Sequence, residues 1–294
     1  MTLLVTGASG NVGRRVVAGL VGAGQRVRAM TRDPRATAAL LPAGVELVRG
    51  DFEQPRTWAA ALDGVERVHL FPFADKGFVE AAVAAGTRRF VVHSAVAAGF
   101  GESPEGGSAL QRHLDEERDG HRLVELAVEE SGAEWTHVRP GLMATGALGW
   151  AEEIRDTGAV RMPYPGAGSA LVHEADVAEI AVAALITDEH VGAAYTITGP
   201  EKVTHVEQVH AIATAIGRDV AFVELTPGQA HAEWVDHGLL DWELELMAAQ
   251  SDEPELVPAT DTYERLTGRP PRTFAQWARD HRADFQTSVI GEDQ

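Results

Sequence analysis

The amino-acid sequence predicts an α/β protein built on a doubly wound parallel sheet, with a smaller α+β lobe towards its C-terminal end. Three observations support this prediction. Short apolar segments alternate with segments of helical spacing over the first 141 of 294 residues. A glycine-rich turn separates the first apolar segment from the first helical one. The alternation becomes irregular after residue 142, which indicates that a second arrangement follows.

The first part of the chain is expected to contain six strands and five helices. In the first helix, Val12, Val16 and Leu20 recur at helical spacing and define one apolar face. Because parallel strands need a long crossover connection, regular alternation predicts a parallel sheet. The expected strands are 2–6, 25–32, 45–50, 65–73, 88–95 and 134–141, and the expected helices are 11–23, 36–41, 56–64, 77–86 and 108–131.

The second part of the chain is expected to mix helices and strands and to be partly interleaved with the first part. Two or three further helices are expected up to about residue 285, and residues 287–294 are expected to be a frayed tail. The remaining expected elements are helices at 151–158, 174–188 and 205–217 and strands at 193–199 and 220–225.

Composition excludes several classes of function. The net charge is −19, from 44 acidic and 25 basic residues, so we expect binding neither to nucleic acid nor to an anionic membrane surface. Cysteine is absent, which excludes disulfides and thiolate chemistry, and no metal site is expected. No apolar run reaches the roughly 18 residues of a membrane helix. The N-terminal segment lacks the features of a secretory signal, and we expect a cytoplasmic protein.

The glycine-rich turn is the most specific motif. The segment "VTGASGNVGRR" places three glycines between the first strand and the first helix. Small residues there let backbone N–H groups approach a pyrophosphate at the positive end of the helix. The sequence therefore predicts a Rossmann-type dinucleotide site, with contacts from Gly7, Ser9, Gly10, Asn11, Val12 and Gly13.

These features resemble the short-chain dehydrogenase/reductase superfamily, in its extended and atypical members. The segments "TGASGNVG", "TRDP", "GDF", "RPG" and "TGRPPRTFAQWARDH" are similar to the NmrA-like group, which includes NAD(P)H-binding quinone-reductase-like proteins and redox-sensing regulators. The resemblance covers nearly the whole chain. It implies that Asp51 and Phe52 flank the adenine, that Phe71 and Pro72 border the ribose and nicotinamide side, and that Pro140 contributes to the cofactor site. The alternative for Phe71 and Phe73 is that both are ordinary core residues.

The end of the second strand bears on the choice between NAD and NADP. NAD-binding proteins usually place an acidic residue there, whereas this chain has Thr31 and Arg32, with Asp33 one residue late. An arginine can bind a 2′-phosphate with its planar fork, and Arg35 is close enough in sequence to assist. We therefore expect NADP(H). The alternative is that Arg32 is a plain surface charge.

Residues 1–141 are expected to form the NADP(H)-binding domain, and residues 142–294 the substrate-side lobe.

The resemblance implies a catalytic Tyr-x-x-x-Lys pair on the long helix, but this chain cannot supply it. Its tyrosines are Tyr164, Tyr195 and Tyr263, and no lysine lies between Lys76 and Lys202. Ser94 matches the serine of the superfamily. In the long helix one stripe is interrupted by Glu117 and His121, four residues apart; its apolar members are Leu110, Leu114, Val124 and Val128.

His121 falls at the place of the missing lysine, and the carboxylate of Glu117 is expected to raise its pKa. Three interpretations stay open for this pair. It donates a proton or binds the nicotinamide ribose, it is a polar pair at the rim of the cleft, or it belongs to a solvated acidic face. His93, His113 and Tyr164 are weaker candidates. The aromatic residues Phe100, Trp150, Trp234 and Trp242 are expected either to line a substrate pocket or to be ordinary core.

The first functional hypothesis is an NADPH-dependent oxidoreductase that reduces a small, largely apolar carbonyl, quinone or enone. The second is a non-catalytic NADP(H)-sensing regulator of the NmrA-like type, which the missing Tyr-x-x-x-Lys pair favours. A sugar-nucleotide epimerase is disfavoured, since the chain has no lysine or arginine between Arg218 and Arg265 for a second diphosphate. A homodimer is expected only because two-fold oligomers are common.

Overall fold

The computed structural model describes residues 1–103, 107–234, 241–251 and 255–286. The expected frayed tail, residues 287–294, lies outside the described residues. Within the described ranges, none of the helices is both long and apolar enough to cross a membrane.

A seven-stranded parallel sheet forms the centre of the molecule, in the order β3-β2-β1-β4-β5-β6-β9. The strand order reverses between β1 and β4, and ligands of such sheets bind at this switch point, outside the carboxyl ends of the strands. The predicted fold class is confirmed. The strands are β1 (Thr2–Val5), β2 (Arg26–Thr31), β3 (Glu46–Arg49), β4 (Val65–Leu70), β5 (Arg89–His93), β6 (Glu134–Pro140) and β9 (Ala193–Ile197).

Helices cover both faces of the sheet. Because side chains alternate along a strand, Leu3 and Val5 of β1 pack towards α1 and α7, whereas Leu4 packs towards α3, α4 and α5. The helices are α1 (Asn11–Gly22), α2 (Pro34–Ala38), α3 (Trp58–Leu62), α4 (Lys76–Ala84), α5 (Ala109–Glu130) and α7 (Glu174–Ile186).

The remaining elements build a smaller lobe around Ile154, Val160, Phe274 and Trp277. Two short sheets lie in this lobe, a parallel pair β7–β11 and an antiparallel pair β8–β10. Its strands and helices are α6 (Ala151–Thr157), β7 (Ala159–Met162), β8 (Gly168–Ser169), β10 (Val203–Thr204), α8 (His205–Ile216), β11 (Ala221–Glu224), α9 (Pro227–Trp234), α10 (Asp241–Ser251) and α12 (Phe274–Asp280). Helix α11 (Thr262–Thr267) instead packs on the core of the central sheet, against β9 and α7.

The two parts of the chain are interleaved at α7 and β9. Helix α7 packs against α1, and β9 hydrogen-bonds with β6 at the edge of the central sheet. Both elements come from the second part of the sequence. The domain boundary after residue 141 stays a prediction.

Two expected element bounds are wrong for local reasons. The fourth strand ends at Leu70 rather than at Phe73, because Pro72 cannot donate to a strand ladder and the N–H of Phe71 donates to the hydroxyl of Thr6 instead. The second helix begins at Pro34 rather than at residue 36, because the Asp33 carboxylate caps it by accepting from the N–H groups of its first turn.

Candidate functional site

The glycine turn between β1 and α1 is closely packed. Gly7 has a positive φ of 61°, and the N–H of Gly10 donates to its carbonyl over 3.0 Å. A Cβ on Gly13 would lie 2.1 Å from the carbonyl oxygen of Gly7. No side chain caps α1 at Gly10, so the first N–H groups of the helix are available to an anion. A pyrophosphate fits this turn.

A single hydroxyl joins the ends of β1 and β4. Thr6 Oγ1 donates to the carbonyl of His69 over 3.0 Å and accepts from the N–H of Phe71 over 2.8 Å. The ring of Phe71 consequently lies against the glycine turn, where a Cβ on Gly7 would be 3.0 Å from it. Phe71 and Pro72 are partly exposed, and Phe73 is 77% exposed. The predicted cofactor residues Phe71 and Pro72 thus adjoin the switch point.

Two arginines stand at the carboxyl end of β2. Arg32 and Arg35 are both exposed. The carboxylate of Asp33 is engaged in capping α2, and that of Asp51 accepts from the N–H of Glu53 over 3.1 Å and from Gln54 Nε2 over 2.8 Å. Both carboxylates are therefore hydrogen-bonded to groups of their own turns.

The predicted adenine contact Phe52 packs edge-on against Phe78, with ring centroids 4.9 Å apart. Phe52 is partly buried beside the core between the sheet and α3–α4. Its ring therefore has one packed edge and one accessible side.

The carboxyl end of β5 carries Ser94 beside a buried carboxylate of α5. Glu125 is buried and accepts from Arg139 Nε over 2.8 Å and Nη2 over 2.7 Å, and also from Arg122. Burial alone would raise the pKa of Glu125, but Arg139, with help from Ser94, His137 and Arg122, lowers it to about 2. Ser94 is buried beside this carboxylate, and its hydroxyl is one of the groups that keep Glu125 charged.

Sequence reasoning missed this ion pair. Two features of the sequence could have indicated it. Glu125 lies one helical turn after His121, on the same face of α5, and an arginine precedes Pro140 at the end of β6. The ligand atoms of Glu125, Glu129 and His137 lie within 4.8 Å of one another, but arginines already contact both carboxylates. The cluster therefore functions as an ion-pair network between α5 and β6.

His121 lies close to Glu117, with Nε2 3.5 Å from Oε2. Its side chain is only 16% exposed, so the solvated-face interpretation does not hold for it. Burial lowers the pKa of His121, although the carboxylates of Glu117 and Glu125 oppose this. The expected rise in its pKa is wrong, because the cost of burying a charge exceeds the attraction of the carboxylates. His121 Nδ1 is buried without a hydrogen-bond partner in the part of the chain that the structure describes.

A second histidine ends β5. The ring of His93 lies 6.0 Å from that of His69 and 5.8 Å from that of Phe71, between centroids. Burial, together with the neighbouring His69 and His121, lowers the pKa of His93 to about 3. Burial also lowers the pKa of His69 to about 4. Both imidazoles are therefore neutral near neutral pH.

Helix α10 packs against the amino-terminal half of α5. Trp242 stacks on His113, with ring centroids 3.6 Å apart, and the Glu245 carboxylate accepts from the N–H groups of Leu110 over 2.8 Å and Ala109 over 3.3 Å. These contacts fix one side of the helix that carries His121.

The other aromatic candidates are distributed differently. Trp150 and Trp234 pack on the core of the smaller lobe, and Trp150 meets His205 edge-on at 5.9 Å. Phe100 is partly exposed after the turn that follows β5, and Tyr164 has a φ of 54°. Trp150 and Trp234 therefore have core contacts.

Comparison with known proteins agrees with this geometry. Residues 7–188 match the family described as NAD(P)H-binding. The chain is 33% identical over 294 residues to an NAD(P)H azoreductase of Xenophilus azovorans, covering 96% of this chain and 99% of the relative. It is 36% identical over 293 residues to the (4-alkanoyl-5-oxo-2,5-dihydrofuran-3-yl)methyl phosphate reductase of Streptomyces griseus, with the same coverage.

A solved structure shares the fold over nearly its full length. The NADPH complex of an Escherichia coli NADPH-dependent quinone oxidoreductase superimposes with a TM-score of 0.72 at 24% identity, covering 95% of this chain and 99% of that one. The family match and the full-length relatives agree with the resemblance seen in the sequence motifs. The chain belongs to the NAD(P)H-binding family.

Proposed function

We propose that this protein is an NADPH-dependent oxidoreductase that reduces a small, largely apolar acceptor such as a quinone or an enone. One observation carries the proposal. The carboxyl edge of β1, β4 and β5 combines an uncapped, glycine-lined helix N-terminus with buried ring nitrogens of His93 and His121 that lack hydrogen-bond partners within the described ranges. Such atoms are costly to bury unless a bound molecule satisfies them.

The relatives support the acceptor class. Their names specify an azo compound, an oxo-dihydrofuran and a quinone. These acceptors share an electron-poor conjugated system that accepts hydride readily. The cofactor supplies that hydride. Such acceptors therefore need less help from protein acid groups than an unactivated ketone would.

The end of β2 supports NADPH over NADH. Arg32 and Arg35 are exposed and available to a 2′-phosphate, whereas Asp33 is engaged in capping α2. A free acid at this place would instead favour the ribose hydroxyl of NAD. The NADPH complex of the quinone oxidoreductase is consistent with this preference.

The proposed roles of the polar residues follow from the groups that each of them contacts. His121 has Nε2 towards the half-exposed Glu117 and a buried Nδ1, so its imidazole can relay a proton from the solvent side to the interior. Ser94 helps to keep the buried carboxylate of Glu125 charged at the end of β5. Arg139 and Glu125 hold α5 against β6 and so fix His121 relative to the strand ends.

A second candidate is a non-catalytic NADP(H)-sensing regulator in the cytoplasm. One observation favours this candidate. Glu117 and His121, which lie 3.5 Å apart, occupy the helix positions where the superfamily usually has the Tyr-x-x-x-Lys pair. Such a protein would bind the cofactor without turnover.

The test is oxidation of NADPH by the purified protein with a panel of quinones, enones, azo compounds and simple ketones. We expect turnover with at least one conjugated acceptor and the slowest rates with simple ketones. Tight binding of NADPH, measured by calorimetry, without turnover on any acceptor would instead support the regulator. The same measurement with NADH reports the cofactor preference.

A further inference from the structure

We propose that His93 is a further cofactor-binding residue, which hydrogen-bonds the carboxamide of the nicotinamide ring. This inference rests on the proposed use of NADP(H). The residues that support it lie between the glycine turn and the end of β5.

Phe71 links the glycine turn to the end of β5. The ring of Phe71 would meet a Cβ on Gly7 at 3.0 Å, and the same ring lies 5.8 Å from that of His93. The pyrophosphate position is fixed by the turn and by the N-terminus of α1. The opposite end of an extended dinucleotide therefore falls beside β4 and β5, where His93 is the last residue of its strand.

His93 has an unsatisfied atom at this place. Its Nδ1 is buried and has no hydrogen-bond partner among the residues that the structure describes, although the residue as a whole is partly exposed. Its ring neighbours His69 and Phe71 contact it through their rings and leave Nδ1 unbonded. A bound group that supplies one hydrogen bond would complete the site.

The chemistry of the imidazole suits a carboxamide. Burial and the nearby histidines keep His93 neutral, so one of its ring nitrogens donates and the other accepts. A carboxamide likewise has one donor group and one acceptor. A neutral side chain also avoids repelling the positively charged oxidised ring, so the same contact serves both redox states of the cofactor.

Two other histidines nearby are less suited to this role. The side chain of His69 is almost fully buried behind His93. His121 belongs to α5 and has Nε2 directed to Glu117. His93 alone of these three ends a strand at the carboxyl edge and combines partial exposure with contact to Phe71.

The experiment compares NADP⁺ with an analogue in which hydrogen replaces the carboxamide. Calorimetry gives the dissociation constants for the wild type, His93→Leu and His93→Asn. We expect the wild type to prefer NADP⁺, and His93→Leu to reduce that ratio about five- to tenfold, the effect of one neutral hydrogen bond. Asparagine keeps a donor and an acceptor, so His93→Asn should recover part of the ratio.

Two controls separate this contact from general damage. Binding of 2′-phospho-ADP-ribose, which lacks the nicotinamide, should be unchanged in every variant. His210→Leu, which alters an exposed histidine of α8, should leave the ratio unchanged. A wild type that binds NADP⁺ while His93→Leu keeps the full ratio overturns this inference alone. A wild type that binds no NADP⁺ overturns the proposed function together with the inference.

Discussion

The imidazole of His121 lies 3.5 Å from the carboxylate of Glu117, one helical turn earlier on α5, yet burial holds its pKa below the usual value. The cost of burying a charge on His121 exceeds the attraction of Glu117. His121 is therefore a neutral imidazole near neutral pH, able to donate through one nitrogen while it accepts through the other.

Replacing His121 by alanine should lower kcat for quinone reduction about 100-fold, the usual size of a lost proton-transfer group. The measurement is steady-state NADPH oxidation, with cofactor affinity followed by calorimetry. His210→Ala, which alters an exposed histidine of α8, serves as the control and should retain activity. Unchanged kcat in His121→Ala would leave the pair as a structural feature of the cleft rim.

Replacing Glu117 by glutamine should lower the pKa of His121 further. The carboxylate stabilises the imidazolium, so its removal favours the neutral form at every pH. Titration of the His121 ring resonances by NMR measures the shift directly. Glu116→Gln, an exposed neighbour, should leave the titration unchanged. A rise in the pKa of His121 in Glu117→Gln would contradict the electrostatic account of the pair.

Replacing Arg32 by alanine should weaken NADPH binding about 10- to 100-fold and leave NADH binding nearly unchanged, because only the 2′-phosphate contact is lost. Arg26→Ala is the matched control, since Arg26 stands at the opposite end of the same strand. Dissociation constants for both cofactors decide the outcome. An equal loss of affinity for NADPH and NADH would mean that Arg32 does not contact the 2′-phosphate.

Replacing Gly13 by alanine should disrupt the turn, because the new Cβ would lie 2.1 Å from the carbonyl oxygen of Gly7. We expect a loss of about 1–3 kcal/mol in the free energy of unfolding, together with weaker NADPH binding. Gly22→Ala, in the same helix, meets no atom within 4 Å and should stabilise the helix by at most about 1 kcal/mol. Denaturant unfolding and calorimetry measure both effects.

The stability of the protein should fall in mild acid, partly because of His69. Its pKa is about 4 in the folded state, against 6.5 for the free group. Between these values the unfolded chain binds a proton that the folded chain does not, so stability is lost as the pH falls. The loss for this group is about 3 kcal/mol between pH 7 and pH 4.

His69→Leu tests this contribution by denaturant unfolding across that pH range. The variant should lose less stability on acidification than the wild type, whereas the exposed His210→Leu should behave like the wild type. Parallel curves for the wild type and His69→Leu would show that His69 does not govern the acid response.

Much of the fold could be predicted from the sequence, because strand–helix alternation and the glycine turn are local patterns. The missed strands β7, β8 and β10 contain only two to four residues and pair with distant segments, so no periodicity marks them. The pKa of His121 was mispredicted for a related reason. Spacing identifies its neighbour Glu117, but only the packed structure gives the burial that outweighs it.

The Glu125–Arg139 pair illustrates the same limit. Both residues are visible in the sequence, but their contact depends on the docking of α5 against β6. Likewise, the sequence suggested that Phe71 borders the cofactor, whereas its packing against Gly7 depends on the hydroxyl of Thr6.

The pairing of β6 with β9 has a consequence for how the molecule unfolds. A fragment that ended at residue 141 would lack β9 and α7, and would present β6 as a long unpaired edge, a known route to aggregation. We therefore expect that neither half of the chain folds by itself. Heat should melt the protein in one cooperative transition, and nucleotide bound at the glycine turn should raise the melting temperature of both halves together.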